Sequence, residues 1–128
     1  MPFNILIVDD SATTRGLIRR ALLLADLPVA EIYEAPQGIA ALEQMRTNHV
    51  DLVLADLHMP EMGGMELAHA IMADPVLRTT PIAVISAEPS MSRIVALRQA
   101  GVKGYLRKPC TPESLRDLVQ PFMEAHHA

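Results

Sequence analysis

The chain has 128 residues, half of them apolar, with 11 Lys and Arg against 15 Asp and Glu for a net charge of −4. That length suits one domain with a real core and excludes a disordered tail, while a single Cys110 excludes a disulfide scaffold and suits a reducing compartment. With no apolar run near the roughly 18–20 residues that span a bilayer, no basic leader within MPFNILIVDD and no Lys/Arg cluster, the expectation is a cytoplasmic domain over 1–128 that engages neither membrane nor nucleic acid.

In chain order, apolar runs alternate with helical periods. Residues 4–9 (NILIVD) read as a strand buried on both faces, and 12–25 as a helix halted by Leu27 and Pro28. Residues 30–35 (AEIYEA) carry charges, as an edge strand does. A helix over 37–48 sets Ile39, Leu42 and Met45 on one side. Residues 51–56 (DLVLAD) form a second fully buried strand, followed by a helix over 64–73 with Leu67, Ala70 and Ile71 inward. Residues 81–86 (PIAVIS) are the third such strand. The helix over 90–100 takes Ser90 as N-cap, Ile94 and Leu97 as its core stripe and Gly101 as its stop. Residues 102–107 (VKGYLR) again look like an edge. The last helix opens with Thr111 as cap and Pro112 in its first turn, with Leu115, Leu118, Val119 and Phe122 on one stripe. Pro121 predicts a kink or an end near Gln120.

Five βα units imply an α/β fold, a parallel sheet with right-handed crossovers and helices on both faces. Placing the three apolar strands inside and the two charged ones at the edges gives strand order 2-1-3-4-5, the flavodoxin-like (βα)5 topology. Its site lies beyond the carboxyl ends of the strands, where the order switches between the first and third.

At those ends stand Asp9 and Asp10, Asp56, Ser86 and Lys108. Three carboxylates at ~5 Å and an effective dielectric near 20 repel by roughly 3 kcal/mol per pair. One of them staying protonated would relieve this; Lys108 together with a divalent cation offsets it fully. Oxygen-only ligands that keep several waters suit Mg²⁺ rather than zinc. A carboxylate beside Mg²⁺ and a lysine is equipped to attack phosphorus and become an aspartyl phosphate. Asp56, at the end of a central strand, is the expected nucleophile, with Asp9 and Asp10 as metal ligands and the Ser86 hydroxyl as a hydrogen-bond donor to the phosphoryl group.

The run IVDDS, the strand LVLADLHMPEMGG, the VISA and the GYLRKP resemble the receiver domain of bacterial two-component response regulators, in the right order over essentially the whole chain. The resemblance implies that Asp56 accepts phosphoryl from the phosphohistidine of a histidine kinase or histidine phosphotransfer protein. It implies Mg²⁺ bound directly by Asp10, Asp56 and the backbone carbonyl of His58, with Asp9 completing the acidic pair. Ser86 and Tyr105 match the hydroxyl and aromatic switch positions, Lys108 the phosphate-pairing lysine, and Lys108–Pro109 a bond that is often cis. Gly63 stands where the family often has a capping Asp, and His58 and Glu88 stand where it tunes the lifetime of the phosphoryl group.

No effector segment follows, so output is expected as contact with a partner protein through the fourth helix, fifth strand and fifth helix, where Met91, Val95 and Tyr105 lie. Such a switch has no turnover product and is not an enzyme in that sense. The alternative is an aspartate-based phosphatase or phosphotransferase for a small metabolite; that chemistry usually places a second carboxylate where His58 stands and needs a cap over the substrate. A flavin carrier of the same topology is disfavoured because Asp9 and Asp10 would repel an anionic phosphate. Arg15, Arg19 and Arg20 read as a solvated face of the first helix, the helix that the family uses to dock kinases and phosphatases. His126 and His127 read as a frayed tail.

Overall fold

The structure is a computed structural model that describes residues 2–87 and 91–127. Its strands are β1 (Asn4–Val8), β2 (Glu31–Ala35), β3 (Leu52–Asp56), β4 (Ile82–Ser86) and β5 (Gly104–Arg107), all parallel, in the order β2-β1-β3-β4-β5. The helices are α1 (Ala12–Leu24), α2 (Gly38–Thr47), α3 (Gly64–Ala73), α4 (Met91–Gln99) and α5 (Pro112–His127). The pleat explains the layers. Ile5 and Ile7 of β1 point to one face with Leu52, Leu54 and Ile85, and there α1 and α5 cover them through Ile18, Leu22, Leu115 and Val119. Leu6 and Val8 point to the other face with Val53, Ala55 and Val84, under Met45 of α2, Leu67 and Ile71 of α3 and Leu97 of α4. β1 and β4 are buried throughout and β3 all but its last residue, whereas β2 and β5 are partly open, as their charges predict.

The helix α1 ends as expected ahead of Leu27 and Pro28, with Ala25 as its C-cap and Asp26 at a left-handed φ of 57°, a conformation that Asp tolerates. Other local expectations change. In α2, Ile39 faces outward at 45% exposure, and the inward residues are Gly38, Ala41 and Met45. Of the kink or end expected near Gln120, the end is overturned. α5 continues through Pro121 to His127: Pro121 and Asp117, the residue one turn back whose carbonyl the proline cannot serve, both lie on the exposed side, where the lost bond costs least. At the start of α5 the cap holds: Ser114 N–H donates to Thr111 Oγ1 at 3.0 Å and Thr111 N–H to Ser114 Oγ at 2.9 Å. Gly101 ends α4 with φ of 101°. The expected Ser90 cap lies outside the described residues, as does Glu88.

His126 is no frayed tail. Its ring meets Phe3 edge-on, with centroids 5.3 Å apart, and its Nδ1 lies 3.7 Å from Asp51 Oδ1. The buried Asp51 also accepts the Asn4 N–H at 2.8 Å and faces His49 Nε2 at 2.8 Å, tying α5 to the amino ends of β1 and β3.

Nor do Arg15 and Arg19 form a solvated face. Their Nε atoms bind the two oxygens of Glu34 on β2 at 2.9 and 2.8 Å, and Arg19 Nη2 donates to the Ile32 carbonyl at 2.8 Å. Arg20 alone of the three is exposed. Burial works to raise the Glu34 carboxyl, but its hydrogen bonds to Arg19 and Arg15 prevail and hold it below its ordinary value. A depressed carboxyl stabilises the fold above its unfolded pKa of about 4.3, and that stabilisation is lost as pH falls through the lower folded value. Glu34→Gln is therefore expected to cost about 0.5–1 kcal/mol near neutral pH, given the partial solvent exposure of the pair. Urea unfolding checks this, and the wild-type advantage should fade in the acid range below pH ~4.

Candidate functional site

Four of the five strands deliver the site's groups at or just beyond their carboxyl ends, and only β2 does not. β1 hands the chain to Asp9, whose amide continues the ladder by donating to the Ala35 carbonyl at 3.1 Å. Its Oδ1 accepts the Ser11 N–H at 2.9 Å, and Ser11 in turn caps α1 by accepting from Thr14 N–H at 3.2 Å. Asp9 is buried, Asp56 half-buried and Asp10 exposed. The three side chains each place an oxygen within 4.8 Å of the other two; among the described residues no other group of three potential metal ligands converges this way.

Lys108 reaches this cluster from the loop after β5. Its amide donates to the Ser86 carbonyl at 2.9 Å, and its Nζ lies 3.0 Å from Asp9 Oδ2 and 3.5 Å from Asp56 Oδ1. The Lys108–Pro109 bond is cis, as the resemblance implies. Burial pushes the Asp56 carboxyl up, and the nearby Asp9 charge adds to this against the opposing pull of Lys108. Burial acts to lower Lys108, but its hydrogen bond to Asp9 and the charge of Asp56 outweigh burial and raise it, so the ammonium stays charged. Lys108 cancels one of three negative charges. The donor set that remains, oxygen-only and partly open to water, fits a hard divalent cation such as Mg²⁺.

The loop after β3 closes the other side. A cleft of about 370 Å³ is lined by Asp10, His58, Met59, Gly63 and Glu66, so His58 borders the same opening as Asp10. Gly63 caps α3 without a side-chain bond, and it must be small: a Cβ there would sit 2.5 Å from the Leu57 carbonyl oxygen. A Cβ on Gly64 would sit 2.7 Å from the Asp56 carbonyl oxygen. Ser86 ends β4 at 1% exposure, in the position after Ile85, which pairs with Asp56. Tyr105 is half-buried in β5 and lines a small cleft of about 40 Å³ with Ile94, Leu97 and Lys103. These neighbours place it against α4, on which Met91 is 75% and Val95 50% exposed.

Sequence reasoning missed one contributor. Arg15 Nη1 donates to the Asp9 carbonyl at 2.6 Å, and only the Ser-capped start of α1 signalled that this helix would deliver a side chain there.

The response regulator receiver domain family matches residues 5–120. The chain belongs to that family. It is 37% identical over 121 residues to the chemotaxis protein CheY of Pseudomonas aeruginosa, covering 94% of this chain and 96% of that protein. It is 38% identical to CheY-3 of Vibrio cholerae, covering 94% and 92%. The solved structure of Vibrio cholerae CheY4 superposes with a TM-score of 0.86 at 29% identity, covering 95% and 99% of the two chains. A putative response regulator from Chloroflexus aurantiacus superposes equally well, at 0.86 and 30% identity over 97% and 99%. The chain is thus a CheY-like receiver, and no helix of its described residues is long and apolar enough to cross a membrane.

Two measurements probe this geometry. Gly64→Ala is expected to destabilise by about 1–3 kcal/mol, since overpacking against backbone forces a shift; amide NMR shifts should centre on Asp56 and Leu57. Burial raises the Cys110 thiol, with a further push from Asp9 against Lys108, so its alkylation by iodoacetamide near neutral pH should be slower than that of a free thiol.

Proposed function

We propose that this receiver is a phosphorylation-controlled switch in a two-component phosphorelay, with Asp56 as the acceptor. The single observation that carries the reading is the position of Asp56: half-buried at the end of a central strand, 3.5 Å from Lys108 and within 4.8 Å of two further carboxylates. An Asp56 oxygen attacks the phosphorus of a phosphohistidine on a histidine kinase or phosphotransfer protein. The O–P bond forms as the N–P bond breaks, and the freed imidazole takes a proton from water. Asp10, Asp56 and the His58 backbone carbonyl would hold Mg²⁺, with Asp9 behind them; when bound, the ion supplies positive charge against the phosphoryl oxygens. Lys108 pairs with one phosphoryl oxygen, which draws it from Asp9, and the Ser86 hydroxyl donates to another.

The phosphoryl group then biases a two-state element rather than building a new fold. Ser86 and Tyr105 are the moving parts. β5 joins them to the surface formed by α4, β5 and α5, where exposed Met91 and Val95 offer contact to a downstream protein. Function is this change of partner, without a turnover product, in the cytoplasm where the kinases' phosphohistidines are found. The cleft between Asp10 and His58 is open, and His58 stands where a metabolite phosphatase carries its second carboxylate, which disfavours the enzyme reading.

Incubation with acetyl phosphate and Mg²⁺ is expected to add one phosphoryl group, read by intact-protein mass spectrometry. Asp56→Asn should abolish the gain, and chelation with EDTA should suppress it. Multiple-turnover release of phosphate from unrelated monoesters would sink the switch reading.

A further inference from the structure

Asp9 and Asp10 are held very differently. All four of Asp9's hydrogen-bonding groups are engaged: its amide by Ala35, its two carboxylate oxygens by Ser11 and Lys108, and its carbonyl by Arg15. Asp10 is exposed, and its carboxylate makes no hydrogen bond or ion pair to the described residues. Where that carboxylate sits is therefore decided by the backbone that carries it, in particular by the peptide plane joining Asp9 to Asp10. The carbonyl of that plane is the one that Arg15 Nη1 grips at 2.6 Å. Arg15 is itself immobilised, since its Nε is paired at 2.9 Å with Glu34, which Arg19 fixes from the other side at 2.8 Å. The Arg15 side chain is only 17% exposed.

We infer that Arg15, braced by Glu34, is a positioning residue that aims the Asp10 carboxylate for divalent-cation binding by fixing the Asp9–Asp10 peptide. The inference rests on the receiver reading above, which supplies the cation but assigns Arg15 no part in holding it. The guanidinium suits this task because its planar fork serves a carboxylate and a carbonyl at once; a lysine ammonium on its flexible stem keeps the charge without the fork. Electrostatics and positioning also predict opposite signs. A cation beside a metal site repels the metal, so deleting the Arg15 charge should tighten Mg²⁺ binding if charge is all it contributes. Loss of aim should weaken binding instead, by about tenfold on the usual scale for groups that orient metal ligands.

The test measures Mg²⁺ affinity by isothermal titration calorimetry for wild type, Arg15→Gln and Arg15→Lys, with circular dichroism as the check on folding. Both variants are expected to bind about tenfold more weakly. The Mg²⁺ concentration at half-maximal phosphorylation by acetyl phosphate should rise by the same factor, with the loss falling on that midpoint rather than on the maximal rate. Unchanged or tighter binding by Arg15→Gln, or wild-type affinity in Arg15→Lys, overturns the positioning role and leaves the receiver reading intact. Absence of Mg²⁺ binding or phosphorylation in the wild type overturns both. Glu34→Gln, which frees the brace while keeping Arg15, is expected to weaken binding in the same direction; unchanged affinity there also counts against the brace.

Discussion

The contact on which this molecule turns is the one between Lys108 and two aspartates of different strands. Asp9 and Lys108 lie 99 positions apart in sequence, and their 3.0 Å hydrogen bond ties the strand that begins the fold to the loop that follows its last strand. Three acidic side chains at one end of an apolar sheet repel one another strongly, and nothing in the two core layers offsets that cost. The ammonium group permits the cluster to exist in the resting protein, while leaving enough negative charge to attract a small hard cation. A parallel sheet of this strand order gathers the participants in one place, because every strand ends on the same side and the neighbours of β3 are β1 and β4.

How much of this was legible beforehand follows from the kind of signal involved. The three inner strands announce themselves because burial on both faces requires unbroken apolar runs, and the edges because they admit charge. The clustered residues were legible for the same reason: a charged side chain closing an apolar run can only sit at the strand's end. The family resemblance then fixed finer assignments, such as the cis bond before Pro109. What stayed hidden were pairings between side chains far apart in sequence. Arg15 and Arg19 look like an ordinary polar stripe until the fold places Glu34 of the neighbouring strand between them. His126 looks like a disordered end until Phe3 and Asp51 appear beneath it. Pro121 misled for another reason: its cost depends on whether the orphaned carbonyl meets water, and that depends on which side of the helix it occupies.

The sheet is thus secured at both rims by polar groups of opposite purpose. At the amino ends, Asp51 takes an amide from β1 and faces two imidazoles, which anchors the tail of α5 where no chemistry is proposed. At the carboxyl ends, the paired glycines at 63 and 64 let the backbone pass close to Asp56 and Leu57, which keeps the loop after β3 compact beside the carboxylates.

The proline within α5 has a consequence for whatever shares that surface. Because Pro121 brings no amide hydrogen, the oxygen of Asp117 on the exposed side of the helix is left without its usual backbone donor. A binding protein laid over this stripe must furnish a hydroxyl or amide of its own, or leave a water trapped at the seam. A purely greasy cover would be penalised, which biases this side of the last helix toward polar, readily reversible association.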